Sequence, residues 1–293
     1  MLPATQVTAK ELLPVYDRPV IQFAIDEAIE AGAERIIVVV SDTKPAIREF
    51  LGDVASSSSE REAARTGVRQ AAPEIVYVTQ VEPMGLGHAI LCCKGLTLPG
   101  PFGIILPDDI IMGRGNLAEM AESYRYGHMI AAMKVQVDET CRYGIFVLNG
   151  ASTDICIPVS GMVEKPPRGT APSSLAAVGR YILQPMIFDI LGRIPKGAGG
   201  ELQLTDAIAI AAHSVPLTAF RFSGTRYDCG SHDGLLAASN ARQAAVKAVK
   251  AVKADRLNAP LSFARLSARP ARNGKTHSPD SAGLICEPTR HTF

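Results

Sequence analysis

The chain has 293 residues, 47% of them hydrophobic, enough to bury a substantial core as one large domain or two small ones. Its 30 basic and 29 acidic side chains leave a formal charge of +1, so no global field draws it to nucleic acid or an acidic membrane surface. Six cysteines without a CxxC pair argue against a zinc site or a disulfide framework, and no targeting segment or run of about 18 apolar residues is present, so the expectation is a soluble cytoplasmic protein with no nucleic-acid or membrane partner.

In chain order, Pro19 to Ala31 has apolar residues at helical spacing (Ile21, Ala24, Ile25, Ala28, Ile29), and Gly32 stops that helix before the strand-like run Ile36 to Val40. A polar, low-complexity stretch around Ser56 to Ser59 precedes a second strand, Ile75 to Val78, after which Gly85 and Gly87 open a helix through Leu91. Gly103 to Leu106 is the third strand. Strands alternating with helices predict an α/β fold with a doubly wound, mostly parallel sheet over the first 135 residues.

Beyond that point Tyr143 to Leu148, Gly161 to Glu164 and Ala177 to Leu183 read as strands, and Pro185 to Leu191 and Leu204 to Ala212 as helices. They form a smaller α+β part that supplies a second wall to any site. A helix from near Asp233 continues through the Ala-Val-Lys repeat, so residues 244–258 are expected as a helical extension of a 1–243 domain. Residues 259–293, rich in Pro, Ser, Arg and Thr, are expected as a disordered tail.

The segment that carries most chemistry is IILPDD, Ile104 to Asp109. An apolar strand that ends at a proline delivers two adjacent carboxylates to the edge where open α/β sheets place ligands. Hard oxygen donors there suit Mg²⁺ bound together with phosphates. From the residues alone the acids are equally a turn or a helix cap, and successive strand residues point to opposite faces, which leaves Asp109 as a structural candidate beside Asp108.

Nine motifs then stand in order: LPAT (Leu2 to Thr5), KELLPVYDRP (Lys10 to Pro19), GLGHAIL (Gly85 to Leu91), LPDD, RYG (Arg142 to Gly144), VEKP (Val163 to Pro166), VGRYIL (Val178 to Leu183), GGELQLTDAI (Gly199 to Ile208) and YDCG (Tyr227 to Gly230). Over roughly Leu2 to Gln243 the chain resembles the bacterial UTP:glucose-1-phosphate uridylyltransferases, a family of sugar nucleotidyltransferases. The resemblance implies a Rossmann-like nucleotidyltransferase fold with the sugar nucleotide across the carboxyl ends of the strands. It implies UTP and glucose 1-phosphate as substrates, UDP-glucose and pyrophosphate as products, Mg²⁺ as cofactor, and a homodimer or homotetramer.

What the resemblance gives each residue differs from its plain reading. Lys10, otherwise a solvated lysine, goes to the triphosphate, and Gln80, otherwise a polar strand cap, pairs its amide with uracil. Gly85 and Gly87 admit base or ribose; His88 beside them is a ligand neighbour or a backbone-satisfied histidine. Asp108 and Asp228 hold the metal. Glu164, otherwise half of a solvated pair, goes to the glucose hydroxyls, and Lys165 to the sugar phosphate, stiffened by Pro166 and Pro167. Gly144 and Gly179 let the backbone close on the sugar nucleotide. Thr205 and Asp206, with Glu201 nearby, are read as a helix cap before a substrate contact.

Three departures stand out. The family carries a strand and a glycine-rich loop, roughly GLGTR, ahead of LPAT, whereas this chain starts inside that motif, so it is expected to be weakly stable or weakly active unless extended upstream. Gln6 stands where a lysine is usual, and Val54 to Pro73 is shorter and more polar than the usual insertion. The competing functions are a related nucleotidyltransferase using dTTP or another sugar, and a non-catalytic UDP-sugar-binding or regulatory protein, against which the retained charged set of Lys10, Asp108, Lys165 and Asp228 argues.

Overall fold

In the computed structural model, the structure describes residues 5, 8–41, 45–52, 54, 60–61, 63–65, 67 and 71–258, with backbone alone at 198 and 253–258. The expectations for residues 259–293, for Ser56 to Ser59, for Gln6 and for most of LPAT lie outside them. The chain divides into a unit of residues 1–250 and a unit of residues 251–293.

Two short strands, β1 (Pro14–Val15) and β2 (Arg18–Pro19), pair antiparallel and lead into helix α1 (Val20–Glu30). Its buried face carries Ile21, Ile25, Ala28 and Ile29, the spacing that the sequence shows, and Gly32 ends it at a φ of 81° that a β-carbon would penalise. Then come β3 (Arg35–Val40), α2 (Pro45–Leu51), β4 (Glu74–Thr79), α3 (Leu86–Leu91), β5 (Phe102–Ile105), β6 (Asp109–Met112), α4 (Asn116–Ser123) and β7 (His128–Lys134). The second half holds β8 (Gly144–Leu148), β9 (Cys156–Glu164), β10 (Leu175–Leu183), α5 (Met186–Leu191), α6 (Leu204–Ala211), β11 (Leu217–Arg221), β12 (Thr225–Asp228) and α7 (His232–Asn258). The helix expected from near Asp233 is α7.

Six strands form the main sheet, in the order β5-β10-β7-β11-β9-β8. β3 pairs parallel with β4, and β6 antiparallel with β12. The chain is α/β, as the alternation predicts, but within that class its pairing is more antiparallel. Only β3 with β4 and β7 with β11 run parallel among the described strands, because β10 inserts antiparallel between β5 and β7. Neither β7 nor β11 stands out as a strand from its sequence. β7 is buried on both faces, Ile130 and Ala132 towards α5 and α6 and Met129 and Ala131 towards α4, so it shows a continuous apolar run instead of alternation.

Every residue of β10 is buried, and its register against β7 shifts between Ala177 and Tyr181. That irregularity turns Arg180 into the interior, where it is 2% exposed and meets Glu27 of α1, 7% exposed. Nε and one Nη2 hydrogen donate to the two Glu27 oxygens at 2.9 and 2.8 Å. Nη1 donates to the carbonyls of Leu106 (3.1 Å) and Gly179 (3.0 Å), and Nη2 also to that of Asp109 (2.6 Å). All five guanidinium donors are thereby used.

Removing one partner of a buried pair strands the other charge. Glu27→Gln and Arg180→Met are each expected to lower unfolding free energy by about 3–5 kcal/mol, read from the midpoint of chemical denaturation. His128 gives a second prediction. Its Nδ1 accepts the Gln184 N–H at 3.2 Å, its Nε2 is buried without a partner among the described residues, and burial pulls its pKa from 6.5 down to about 4. A depressed histidine pKa means that the unfolded chain binds the extra proton first. Stability should therefore be full above pH 6.5 and fall by about 3 kcal/mol as pH drops towards 4, and His128→Gln should flatten that loss.

Candidate active site

β5 ends at Ile105, and the chain turns through Leu106 to Asp109, held by Leu106 N–H to Gly179 O at 2.8 Å and Asp109 N–H to Leu106 O at 3.3 Å. The two acids of this turn part company. Asp109 is buried: its carboxylate accepts Arg226 Nε at 2.7 Å and Gly179 N–H at 2.9 Å. Asp108 instead accepts Lys10 Nζ at 2.8 Å, in a pair whose side chains are 40% and 35% exposed. Asp109 is the structural acid and Asp108 the more exposed one.

The far carboxylate comes from β12, whose register against β6 sets Asp228 opposite Asp109, with Cys229 N–H donating to Asp108 O at 2.8 Å. A β-carbon added to Gly230 would lie 2.9 Å from Asp228 Oδ1 and 3.6 Å from Asp108 Oδ2, so the two metal candidates converge on one small space. Arg142 Nη2 lies 3.7 Å from Asp228 Oδ2. Burial acts to lower the Lys10 pKa, but its bond to Asp108 and the charges of Asp108, Glu11 and Asp228 carry it above its ordinary value, so the ammonium persists at neutral pH. Burial, reinforced by the charges of Asp228, Asp108 and Asp109, pushes the Cys229 thiol up to about 12, so it stays protonated at neutral pH.

A second group forms where β8 meets β9. Gly144 is the register partner of Glu164, and a β-carbon on it would lie 3.2 Å from both Glu164 Oε2 and Thr205 Oγ1. Thr205 Oγ1 donates to Glu164 Oε2 at 2.7 Å, and Lys165 Nζ lies 3.5 Å from Glu164 Oε1. Lys165 has a φ of 41°, an unusual conformation for a side-chain-bearing residue, and its N–H bonds Tyr143 O at 3.0 Å. The capping role weighed for Thr205 is not what the structure has: Gln203 caps α6, without a side-chain bond, and Thr205, one residue inside the helix, turns to Glu164. Burial and the Glu164 charge raise the Asp206 pKa.

Gln80 follows β4 and donates through Nε2 to Gly85 O at 3.1 Å, with His88 Nδ1 3.0 Å away. Gly85 has a φ of 90°. A β-carbon on Gly87 would lie 2.5 Å from Leu202 O, because Gly87 N–H bonds that carbonyl at 2.9 Å and Leu202 N–H returns to Met84 O at 2.8 Å. The requirement for glycine at 87 thus comes from the protein's own backbone. The same holds for Gly179, where a β-carbon would meet Leu106 Cβ at 2.6 Å and Asp109 Oδ2 at 2.9 Å. It lies beneath the acids, buried in β10.

The structure therefore gathers Lys10, Asp108 and Asp228 into one cluster, and Gly144, Glu164 and Lys165 into another joined to it through Arg142 and Tyr143. Gln80, Gly85 and Gly87 form a third around His88. Arg226 was not singled out from sequence, and Arg142, Arg180 and Leu202 only as parts of motifs; an arginine inside the apolar run LAAVGRYIL is itself a signal of a buried partner.

A turn that presents one acid and buries the next, an acid returned from a distant strand, and a glycine loop ahead of a short helix define an α/β protein built to handle a phosphorylated nucleotide. The chain belongs to the nucleotidyl transferase family, whose model matches residues 1–245. It is 38% identical to the UTP–glucose-1-phosphate uridylyltransferase of Pseudomonas aeruginosa over 252 residues, covering 82% of this chain and 90% of that one. The enzyme of the same name from Bacillus subtilis is 40% identical over 247 residues, covering 80% and 84%. A crystal structure of UDP-glucose pyrophosphorylase complexed with UDP-glucose superposes with a TM-score of 0.72 at 35% identity, covering 83% of this chain and 93% of that one. A UTP-bound UGPase from Acinetobacter baumannii gives 0.70 at 32% identity, covering 82% and 88%. No described helix is long and apolar enough to cross a membrane.

The glycine geometry orders two substitutions. Gly179→Ala must push Leu106 and the acid turn aside and is expected to cost about 1–3 kcal/mol of stability. Gly144→Ala meets side-chain ends at 3.2 to 3.3 Å and should cost less than Gly179→Ala. Parallel denaturation curves of the two variants check the order.

Proposed function

We propose that this protein transfers the uridylyl group of UTP to glucose 1-phosphate, releasing pyrophosphate and UDP-glucose. The observation that carries this reading is the convergence of Asp108 and Asp228 beside Lys10, next to the Glu164–Lys165 pair. A phosphate oxygen of glucose 1-phosphate forms the new bond to the α-phosphorus of UTP. The bond from that phosphorus to the bridging oxygen breaks, and pyrophosphate leaves with the electron pair. The attacking oxygen is already ionised, so no general base is required, which agrees with a site whose histidine, His88, is engaged with Gln80. What remains for the protein is positioning and charge neutralisation.

Two carboxylates and no third acidic, histidine or cysteine donor among the described residues fit Mg²⁺, which keeps waters and takes substrate phosphates as its other ligands. Asp108 and Asp228 would hold it, and when bound it supplies charge neutralisation on the phosphates. Lys10 offsets negative charge as pyrophosphate departs. Thr205 fixes one oxygen of Glu164, which orients the carboxylate for sugar hydroxyls, and Lys165 takes the sugar phosphate. Gln80, held by Gly85 O, presents its amide to the uracil edge.

The test is pyrophosphate release with UTP and glucose 1-phosphate in Mg²⁺, against a panel of other nucleotides and sugar phosphates. Release should require both substrates and stop with a chelator. Asp108→Asn and Asp228→Asn should each lower kcat by about 100-fold or more. Lys165→Ala should raise the KM for glucose 1-phosphate more than that for UTP. Binding of UDP-glucose without release of pyrophosphate would overturn the reading.

A further inference from the structure

Two cations stand on the two carboxylates that the reading above gives to a divalent metal. Lys10 Nζ is 2.8 Å from Asp108 Oδ2, and Arg142 Nη2 is 3.7 Å from Asp228 Oδ2. The carboxylates face each other across Gly230, so positive charge already occupies both sides of the space that a metal would enter. Lys10 makes a hydrogen bond. Arg142 does not: its two ion pairs, to Asp228 and to Glu139 at 3.8 Å, both exceed hydrogen-bond reach, and its side chain is 57% exposed. Among the described residues its guanidinium donates no hydrogen bond, which leaves a planar fork of donors ready for a phosphate beside the acid pair.

We propose that Lys10 and Arg142 are resident counter-ions of the Asp108–Asp228 pair, which close the cation position to metal alone and surrender it when a metal–polyphosphate arrives. The inference rests on the reading of these acids as the metal-holding pair. It gives a role to Arg142 of the RYG segment. The exchange keeps every charge paired. Before binding, each carboxylate faces a side-chain cation; afterwards the metal takes the carboxylates and the phosphates take the ammonium and the guanidinium. A bare divalent ion must displace two cations and offers them nothing in return. A metal that arrives with polyphosphate carries its own replacement partners. Metal and polyphosphate should therefore strengthen each other's binding, by the same factor in each direction.

Mn²⁺ titration followed by electron paramagnetic resonance, on the full chain without nucleotide, reads this directly. The comparison is between wild type, Lys10→Met and Arg142→Met. Each variant is expected to bind Mn²⁺ about tenfold more tightly than wild type. The gain should vanish when Asp108→Asn is added to Lys10→Met. Pyrophosphate should tighten Mn²⁺ binding to wild type by more than it does in either variant, an effect that a merely structural role for these side chains would not produce. Unchanged or weaker Mn²⁺ affinity in both variants overturns the proposal. Should Lys10→Met fail to fold, Arg142→Met, whose altered side chain is more than half exposed, decides alone. The transferase reading fails separately: tighter Mn²⁺ in the variants with no pyrophosphate release from active-condition assays leaves the counter-ions standing and removes the reaction.

Discussion

The buried pair of Glu27 and Arg180 is the constraint on which the rest of the unit depends. The residues are 153 positions apart, and the guanidinium reaches α1, the acid turn and its own strand at once. Glu27 Oε1 also accepts the Leu117 N–H at 3.0 Å, which ties in the start of α4. Desolvating two charges is costly, and apolar pairs of similar volume are often at least as stabilising as buried ion pairs. What the ionic pair does that an apolar pair cannot is to read carbonyl positions. Leu106 O and Asp109 O flank the presented acid, so a guanidinium that satisfies both fixes where Asp108 stands.

From that fixed turn the site is assembled by division of labour between neighbours. Asp109 faces inward and is clamped by Arg226, which also donates to Tyr143 OH at 3.4 Å and lies 5.6 Å from that ring. Because Arg226 is on β12, the inward acid is what brings Asp228 back to the outward one. Two adjacent aspartates thus act in different media, one in the low-dielectric interior where pairing is obligatory, the other at a wet edge where its partner can be exchanged. The proposed chemistry uses the second because the first is immobile.

Much of this could be read in the sequence wherever the signal is local. The spacing of Ile21, Ile25 and Ala28 with the stop at Gly32 gave α1 within a residue or two, and the proline before Asp108 marked the turn. A difference in role between Asp108 and Asp109 was legible, but their opposite orientation is set by the turn at Leu106 to Asp109 and by the Arg226 clamp, not by a strand pleat. The pairing of Glu27 with Arg180 was out of reach, since nothing local in either segment names the other. Close approach at Gly87 and Gly179 was legible, whereas the protein atoms that a β-carbon would meet there, in Leu202 and Leu106, were not, because composition cannot tell a ligand from a neighbouring loop. The antiparallel insertion of β10 was hidden for a similar reason, because a strand buried on both faces looks alike whichever way it runs.

The short ladder between the glycine loop and Leu202 has a consequence for how the protein can change. Met84 and Gly87 hold Leu202 by two backbone bonds, Leu202 lies two residues before α6, and α6 carries Thr205, the partner of Glu164. The loop beside Gln80 and the carboxylate beside Lys165 are therefore parts of one mechanical linkage. A substitution that reshapes the loop is felt at Glu164 through fixed backbone, and paired substitutions at the two ends should depart from additivity even though the side chains never touch. On the proposed assignment of these ends to base and sugar, a change selected at one end carries an effect at the other.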